Sequence, residues 1–311
     1  MNIVARKHKN KPVISITLFS LSVALVVVFY TIDVVRFAVY DAYNSVFKVV
    51  ITDRVLSDEA KVFSNIPYCQ TDNPRQTLDL YVPQITNERP MKLVVFIHGG
   101  GWRAGDKSSS LMTYHSETFL KNGIAVASLN YRLYPEASYP EPNEDISCAL
   151  RFLKTEAHNY DISTDKWALF GDSAGAQLGA YAMSDPAASQ PVKLFIGFYG
   201  PYSLVDQVNR KPNRDNEAWN YTNKGTSARD ASPLFRDMKK DATYLLFHGS
   251  KDRVVHMSQS QIFYEKLLGQ KTNVIFTPVE HAGHYFSPRS TPSAHHVKTL
   301  ILNSITSIPY N

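Results

Sequence analysis

From about Pro67 onward the sequence alternates between continuous apolar runs and segments of helical spacing, and this alternation limits the fold more than any other feature. "KLVVFIH" and "GIAVASLNY" are continuous apolar runs, and "KWALFG", "VKLFIGFYG", "ATYLLFHGS" and "NVIFTPV" read as further strands. Side chains of a strand alternate between the two faces of its sheet, so a strand that is apolar at successive positions has both faces covered. "QTLDLYVP" instead alternates, as a half-buried strand does. Between the runs, "PNEDISCALRFLKTEAHNY" puts Ile146, Ala149, Leu150 and Leu153 on one helical stripe. "SAGAQLGAYAMS" reads as a small-residue helix, and "SQSQIFYEKLL" and the segment after Thr291 fit helices too. Strands alternating with helices predict an α/β fold, with a mainly parallel central sheet and helices on both faces. Residues 62–311 form this predicted domain. Within it, residues 201–241 are polar, aromatic and irregular, as an insertion or lid over a site would be.

The N-terminus is of another kind. Arg6, Lys7, Lys9 and Lys11 supply four of the net +5 charges, and no acidic residue precedes Asp33. The remainder of the chain is therefore close to neutral and has no basic face for tracking phosphates, which argues against nucleic acid as a partner. Val13 to Ile32 is a run of 20 residues without a charge, and a helix needs roughly 20 apolar residues to cross a bilayer core. A cleaved signal peptide would have a shorter apolar region and a small-x-small cleavage site, and "DVVRFAVYDAY" follows instead. We read the segment as a transmembrane signal anchor. The basic cluster before it keeps residues 1–12 cytoplasmic, with the catalytic domain on the far side, periplasmic in a bacterium. Residues 33–61 have mixed three and four spacing and are predicted to be a helical linker. Only Cys69 and Cys148 are present. Two cysteines are too few for a disulfide framework, and the expectation is two separate thiols.

Chemistry enters where the apolar runs stop. "LVVFIHGGGW" runs from a buried strand into three glycines, when one or two would suffice for a tight turn. Glycines there permit close approach of a substrate to the backbone and leave N–H groups free to meet a developing negative charge. "LFGDSAG", Leu169 to Gly175, reads G-x-S-x-G after a strand and before a helix. That is the setting of a nucleophile elbow, with Ser173 on a sharp turn and glycines on either side. The two motifs make one apparatus: Ser173 attacks a carbonyl, and the N–H groups of Gly100, Gly101 and Ala174 hold the oxyanion. A serine hydroxyl also needs a base and an orienting carboxylate, in the chain order Ser, Asp, His. Asp252 follows the strand "TYLLFHG". "EHAGHYF" then offers His281 and His284. Gly283 would let the loop turn sharply and bring His284 inward, so His284 is preferred. The H-x-x-H spacing has no third ligand nearby, and no metal is expected. His98 and His248 end strands before glycine turns and are expected to brace those turns by hydrogen bonds. Trp102, Tyr134, Tyr202 and Trp219 are candidate substrate-binding aromatics, with Tyr221 beside them. No dinucleotide loop or P-loop occurs, so no cofactor is expected.

Taken together, "HGGGW" at 98–102, "NYRLYPEASYP" at 130–140, "EDISCALRFL" at 144–153, "GDSAG" at 171–175, "HGSKDRVV" at 248–255 and "AGHYF" at 282–286 occur in the order seen in one family. The chain resembles the serine carboxylesterases of the α/β-hydrolase superfamily, close to the hormone-sensitive-lipase-like and bacterial feruloyl-esterase-like enzymes. The resemblance covers about Pro67 to the C-terminus. It implies an α/β-hydrolase fold and a Ser-Asp-His triad acting through an acyl-enzyme, with a small-molecule or lipid-like ester as substrate. It supports Asp252, and His284 by its place after a glycine and before an aromatic. It assigns Asn130–Arg132 and Asp145 to structural support. His256 departs from the pattern, since relatives often carry proline there, and residues 201–241 do not match, so substrate preference does not carry over. Two alternatives stay open: a peptidase or amidase on the same fold, which usually carries a large access-restricting domain, and a non-catalytic binding protein on a hydrolase scaffold.

Overall fold

The structure, a computed structural model, describes residues 56, 58–86, 89–210, 216–286 and 292–309. The predicted tail 1–12, the predicted span Val13–Ile32 and most of the predicted linker 33–61 lie outside the described residues. Among the described residues no helix is long and apolar enough to cross a membrane.

Eight strands form one sheet in the order β1-β2-β4-β3-β5-β6-β7-β8. They are β1 (Ala60–Pro67), β2 (Thr77–Pro83), β3 (Met91–Ile97), β4 (Ala125–Leu129), β5 (Ile162–Asp172), β6 (Val192–Phe198), β7 (Thr243–Gly249) and β8 (Asn273–Val279). β1 and β2 run antiparallel at one edge, and from β4 to β8 every neighbouring pair is parallel. The sheet is therefore mixed, with its parallel part where the apolar runs predict it. In β3 the reason for an unbroken apolar run is visible residue by residue. Leu93, Val95 and Ile97 belong to the core on one face, whereas Val94 and Phe96 belong to the core on the other.

Helices cover both faces. On the first lie α2 (Glu141–Glu156), which buries Ile146, Ala149, Leu150 and Leu153, and α3 (Ala174–Ala182). α7 (Ser258–Gly269) buries Phe263 and Leu267 on the same side. On the second face lie α1 (Ser110–Lys121) with Met112, Phe119 and Leu120, and α8 (Pro292–Thr306) with Val297, Ile301 and Ile305. The sequence reading assigned no helix at α1. Its inward stripe is interrupted by His115 and Ser116, which are buried with the apolar residues. Its start is marked by Ser109, whose hydroxyl accepts from Met112 N at 3.3 Å. The boundary at 61 also moves: β1 begins at Ala60, inside the expected helical linker. As an edge strand β1 is exposed at positions of both faces, whereas β2, expected to be half-buried, is buried on both faces through Leu78, Asp79, Leu80 and Tyr81.

Residues 201–241 are less irregular than expected. α5 (Leu204–Arg210), α6 (Glu217–Tyr221) and a 3-10 turn (Pro233–Phe235) pack on the first face through Tyr202, Leu204, Tyr221 and Ala231. A further short helix, α4 (Pro186–Ser189), precedes β6.

The expectation of two separate thiols is overturned. Cys69 and Cys148 form a disulfide with their Cα atoms 5.8 Å apart, spanning 79 residues of chain. Cys69 lies just past β1 in a left-handed turn with Gln70, which sets its sulfur over α2. One turn back on α2, the buried Asp145 accepts from Gln76 Nε2 at 2.6 Å and from Arg132 Nη2 at 2.7 Å. Arg132 and Asp145 thus serve as props beside the disulfide.

Candidate active site

The carboxyl ends of the parallel strands bring the candidate residues together, as expected where ligands meet an α/β sheet. β3 delivers Gly100 and Gly101, β5 delivers Ser173, β7 delivers Asp252, and the loop after β8 delivers His284. Ser173 sits between β5 and α3 at φ +51°, a left-handed conformation unusual for a residue with a side chain. Holding it there costs about 1–3 kcal/mol, which the packing on either side must offset. The elbow is tight because β5, the turn and α3 press onto β3. A Cβ on Gly175 would fall inside the carbonyl oxygen of Ile97, and one on Gly171 inside the carbonyl of Gly175. The Ser173 N–H is anchored to Phe198 O at 2.8 Å.

The three side chains form one hydrogen-bonded line. His284 Nε2 lies 3.1 Å from Ser173 Oγ, and His284 Nδ1 lies 2.6 Å from Asp252 Oδ2. Asp252 is only 5% exposed. Its other oxygen, Oδ1, accepts from Val254 N at 2.8 Å and Val255 N at 3.0 Å. Burial alone would raise its pKa, but the hydrogen bonds from His248 and His284 outweigh that and hold the carboxyl well below the usual range. An ionised Asp252 accepts the Nδ1–H of His284. In the tautomer with its proton on Nδ1, Nε2 is left as the acceptor facing the serine hydroxyl.

The glycine turn presents donors beside this line. Gly100 has φ +119° and Gly101 φ +60°, and the Gly100 carbonyl accepts from Arg103 N and Ala104 N at 3.2 and 3.0 Å. The first N–H of the run, that of Gly99, is taken by Asp172 Oδ1 at 2.9 Å. Among the described residues the N–H groups of Gly100, Gly101 and Ala174 take no partner. His98 braces the turn, with Nδ1 2.7 Å from Gly99 O and its ring stacked on Tyr131. Burial pushes the pKa of His98 down to about 4, so the ring is neutral.

The candidate aromatics divide. Tyr202 is fully buried and stacked on Phe263, and Trp102 is 4% exposed, stacked on Tyr221 with Nε1 donating to Gln177 Oε1 at 2.8 Å. Both are core contacts with no face left for a ligand. Tyr134 and Trp219 are half-buried. Tyr134 is tied through its N–H to Trp102 O at 2.8 Å, and Trp219 packs beside Gly225. His281 is exposed, and its N–H donates to Ser250 Oγ at 2.9 Å. The sharp turn that aims His284 comes from His281 and Tyr285, at φ +62° and +54°. Gly283 has no left-handed φ, so the reason given for preferring His284 changes while the geometry favours the same residue.

Three residues that sequence reasoning passed over border the site. Tyr199, buried after β6, packs its ring 4.6 Å from that of His284. Tyr285 is 66% exposed and meets the His284 ring edge-to-face at 4.4 Å. Glu217, exposed on α6, stands against the oxyanion turn, with its Cδ 2.9 Å from where a Cβ of Gly101 would be. The only sequence signal for Tyr285 was its place next to His284.

The BD-FAE family model matches residues 78–267, a span that holds Gly100, Gly101, Ser173 and Asp252 and stops short of His284. Esterase LipC of Mycobacterium tuberculosis is 25% identical over 266 residues, covering 75% of this chain and 63% of LipC. The isoprenylcysteine alpha-carbonyl methylesterase ICME of Arabidopsis thaliana is 26% identical over 233 residues, covering 66% of this chain and 53% of that protein. The chain thus spans less than two thirds of the length of either relative. A truncated carbohydrate esterase from gut microbiota superposes with a TM-score of 0.69 at 21% identity, over 80% of this chain and 98% of that one. Its likeness establishes the shared α/β-hydrolase fold.

Proposed function

The chain belongs to the BD-FAE family, and from that membership we propose that it hydrolyses carboxylic esters with Ser173 as nucleophile, His284 as base and Asp252 as orienting carboxylate. The observation that carries this reading is the line from Ser173 Oγ through His284, at 3.1 and 2.6 Å, to a buried carboxylate. Esterases among the relatives support the reaction class. In the proposed reaction Ser173 Oγ attacks the ester carbonyl carbon as its proton passes to His284 Nε2. The carbonyl oxygen becomes an oxyanion facing the N–H groups of Gly100, Gly101 and Ala174, each such donor being worth roughly 100- to 1000-fold in rate. Collapse breaks the bond to the alcohol, which leaves with the proton from His284. Water, deprotonated by the same nitrogen, then releases the acid from Ser173.

Ser173→Ala tests the assignment. It is expected to abolish turnover of a chromogenic acetate ester while circular dichroism stays that of the wild type, and an organophosphonate is expected to label Ser173 alone. Near-wild-type turnover by the alanine variant would sink it. A panel of acyl lengths on the same chromophore would then define the acid accepted.

We further propose that Val13–Ile32 anchors the protein with its catalytic domain outside the cytoplasm. The uncharged span and the basic residues ahead of it support this. So does the Cys69–Cys148 disulfide, since such bonds persist in oxidising compartments. Retention in the membrane pellet after carbonate extraction is expected, and a soluble product beginning near residues 33–45 would overturn the anchor.

A further inference from the structure

Asp252 faces two imidazoles. Besides His284, the ring of His248 reaches it from the end of β7, with Nε2 3.2 Å from the same oxygen, Oδ2. His248 is fully buried and held at both ends: Nε2 lies 2.8 Å from Val255 O, and Nδ1 lies 2.7 Å from Ser260 Oγ on α7. A carbonyl oxygen only accepts, so Nε2 carries a proton. Ser260, itself fully buried, holds the ring at Nδ1. The proton on Nε2 meets Val255 O at 2.8 Å as its nearer acceptor, with Asp252 Oδ2 at 3.2 Å beside it. Bracing the glycine turn, the role expected from the sequence, does not call for a contact with the carboxylate.

We propose that His248 is a positioning residue for ester hydrolysis, which, with Ser260 fixing its tautomer, donates a second hydrogen bond to Asp252 Oδ2 and so sets the basicity that His284 feels. This rests on the triad reading of Ser173, His284 and Asp252. Three N–H groups bond the carboxylate, two backbone ones on Oδ1 and that of His284 on Oδ2, and His248 Nε2 stands 3.2 Å from Oδ2 as the fourth. That matches the roughly four lone-pair sites of an ionised carboxylate. Each donor draws charge from the carboxylate and weakens its hold on an imidazolium. Removing His248's share leaves Oδ2 more basic, so protonated His284 is stabilised and the base is lost at a higher pH. The other charged or titratable groups in reach are few. Tyr199 and Tyr285 feel the Asp252 and Asp172 charges, and Tyr285 that of Glu217 too, and both stay neutral, with pKa values raised first by burial. Lys251 and Arg253, the chain neighbours of Asp252, are exposed.

The experiment is the pH dependence of kcat/KM on a chromogenic acetate ester, with the full chain in detergent. His248→Leu removes both ring nitrogens, His248→Gln keeps an N–H donor near the Nε2 position, and Ser260→Ala removes only the tautomer lock. The Leu variant is expected to move the acid limb up by about 0.5–1 pH unit. It should also lower plateau kcat by about tenfold with KM little changed, as befits lost orientation of the base. The Gln variant is expected to return the limb to its wild-type place, and the Ser260→Ala limb should move the same way as that of Leu by a smaller amount. A Leu limb that coincides with wild type, or a Gln limb that follows Leu, overturns the proposal. Should the Leu variant fail to fold, Ser260→Ala decides, and an unmoved limb there overturns it equally. Failure of the triad reading looks different: His284→Ala would keep its turnover, or the organophosphonate would label a residue other than Ser173.

Discussion

Glu217 brings a carboxylate to the edge of the turn where an oxyanion would form. A fixed negative charge there disfavours a second one on the substrate, although water and salt screen it at an exposed position. Glu217→Gln is therefore expected to raise kcat/KM on a succinate half-ester by about 3- to 10-fold and to change the neutral ester by less than about 2-fold. Equal changes on both would show that the charge is not felt. A different residue, together with His98, sets the behaviour in acid. His115 is fully buried among Phe119, Phe170 and Phe198, with no hydrogen bond at either nitrogen among the described residues, and burial pushes its pKa down to about 3. Its ring is neutral when folded but takes a proton near 6.5 when unfolded. Stability is thus lost as pH falls below about 6.5, and the loss continues down to about 3. His115→Phe is expected to flatten this slope in urea unfolding between pH 6 and 4, whereas an unchanged slope would remove His115 as its cause. At this scale much of the site was legible. G-x-S-x-G and the order Ser, Asp, His point to three side chains that the structure brings into hydrogen-bonded contact. What could not be read was the side of the chain on which an aromatic lies: Trp102 and Tyr202 face the core, and the unremarked Tyr199 and Tyr285 flank His284.

The element that decides the geometry of the site is the elbow joining β5 to α3. Gly175 lies on α3 against the end of β3, with no room for a methyl group beside Ile97 O. Gly175→Ala must push α3 away from β3. It is expected to lower stability by about 1–3 kcal/mol. Turnover should fall further than stability, because the Ala174 N–H moves relative to Gly100 and Gly101. Activity that tracks only the folded fraction would contradict this. Elements were legible where burial was two-sided. β3, β4, β6, β7 and the second half of β5 are largely apolar because cores lie on both faces. α1 escaped because its buried stripe includes a histidine and a serine, and β1 escaped because an edge strand has no fully covered face. The turn at His281 and Tyr285 escaped as well, since a left-handed φ at non-glycine residues has no reliable sequence mark.

Over the whole molecule, the disulfide closes a loop of 79 residues that runs through β2, β3, α1 and β4 to α2. Closing a loop of that length is expected to stabilise the fold by about 4 kcal/mol, mostly by restricting the unfolded chain. Urea unfolding with and without reductant measures this directly, and equal midpoints would deny the bond a role. Reduction is expected to leave the line of Ser173, Asp252 and His284 in place in the protein that remains folded, since all three lie outside the loop, whereas Gly100 and Gly101 lie inside it. The bond was not legible because it depends on two strained turn residues, Cys69 and Gln70, and on the face of α2 that Cys148 occupies.

The disulfide also governs how the domain bears tension. β1 is an outer strand whose one strand partner among the described residues is β2, and its pairing begins at Ala60 opposite Pro83. A pull from the N-terminal side would part that ladder one rung at a time, the weakest way to load a sheet. Cys69 stands immediately past the last rung, so the unzipping has a fixed end. Beyond it the load passes through sulfur into α2, which lies against the first face of the core. Were the proposed anchor to pull, the outer strand could be stripped only as far as Cys69.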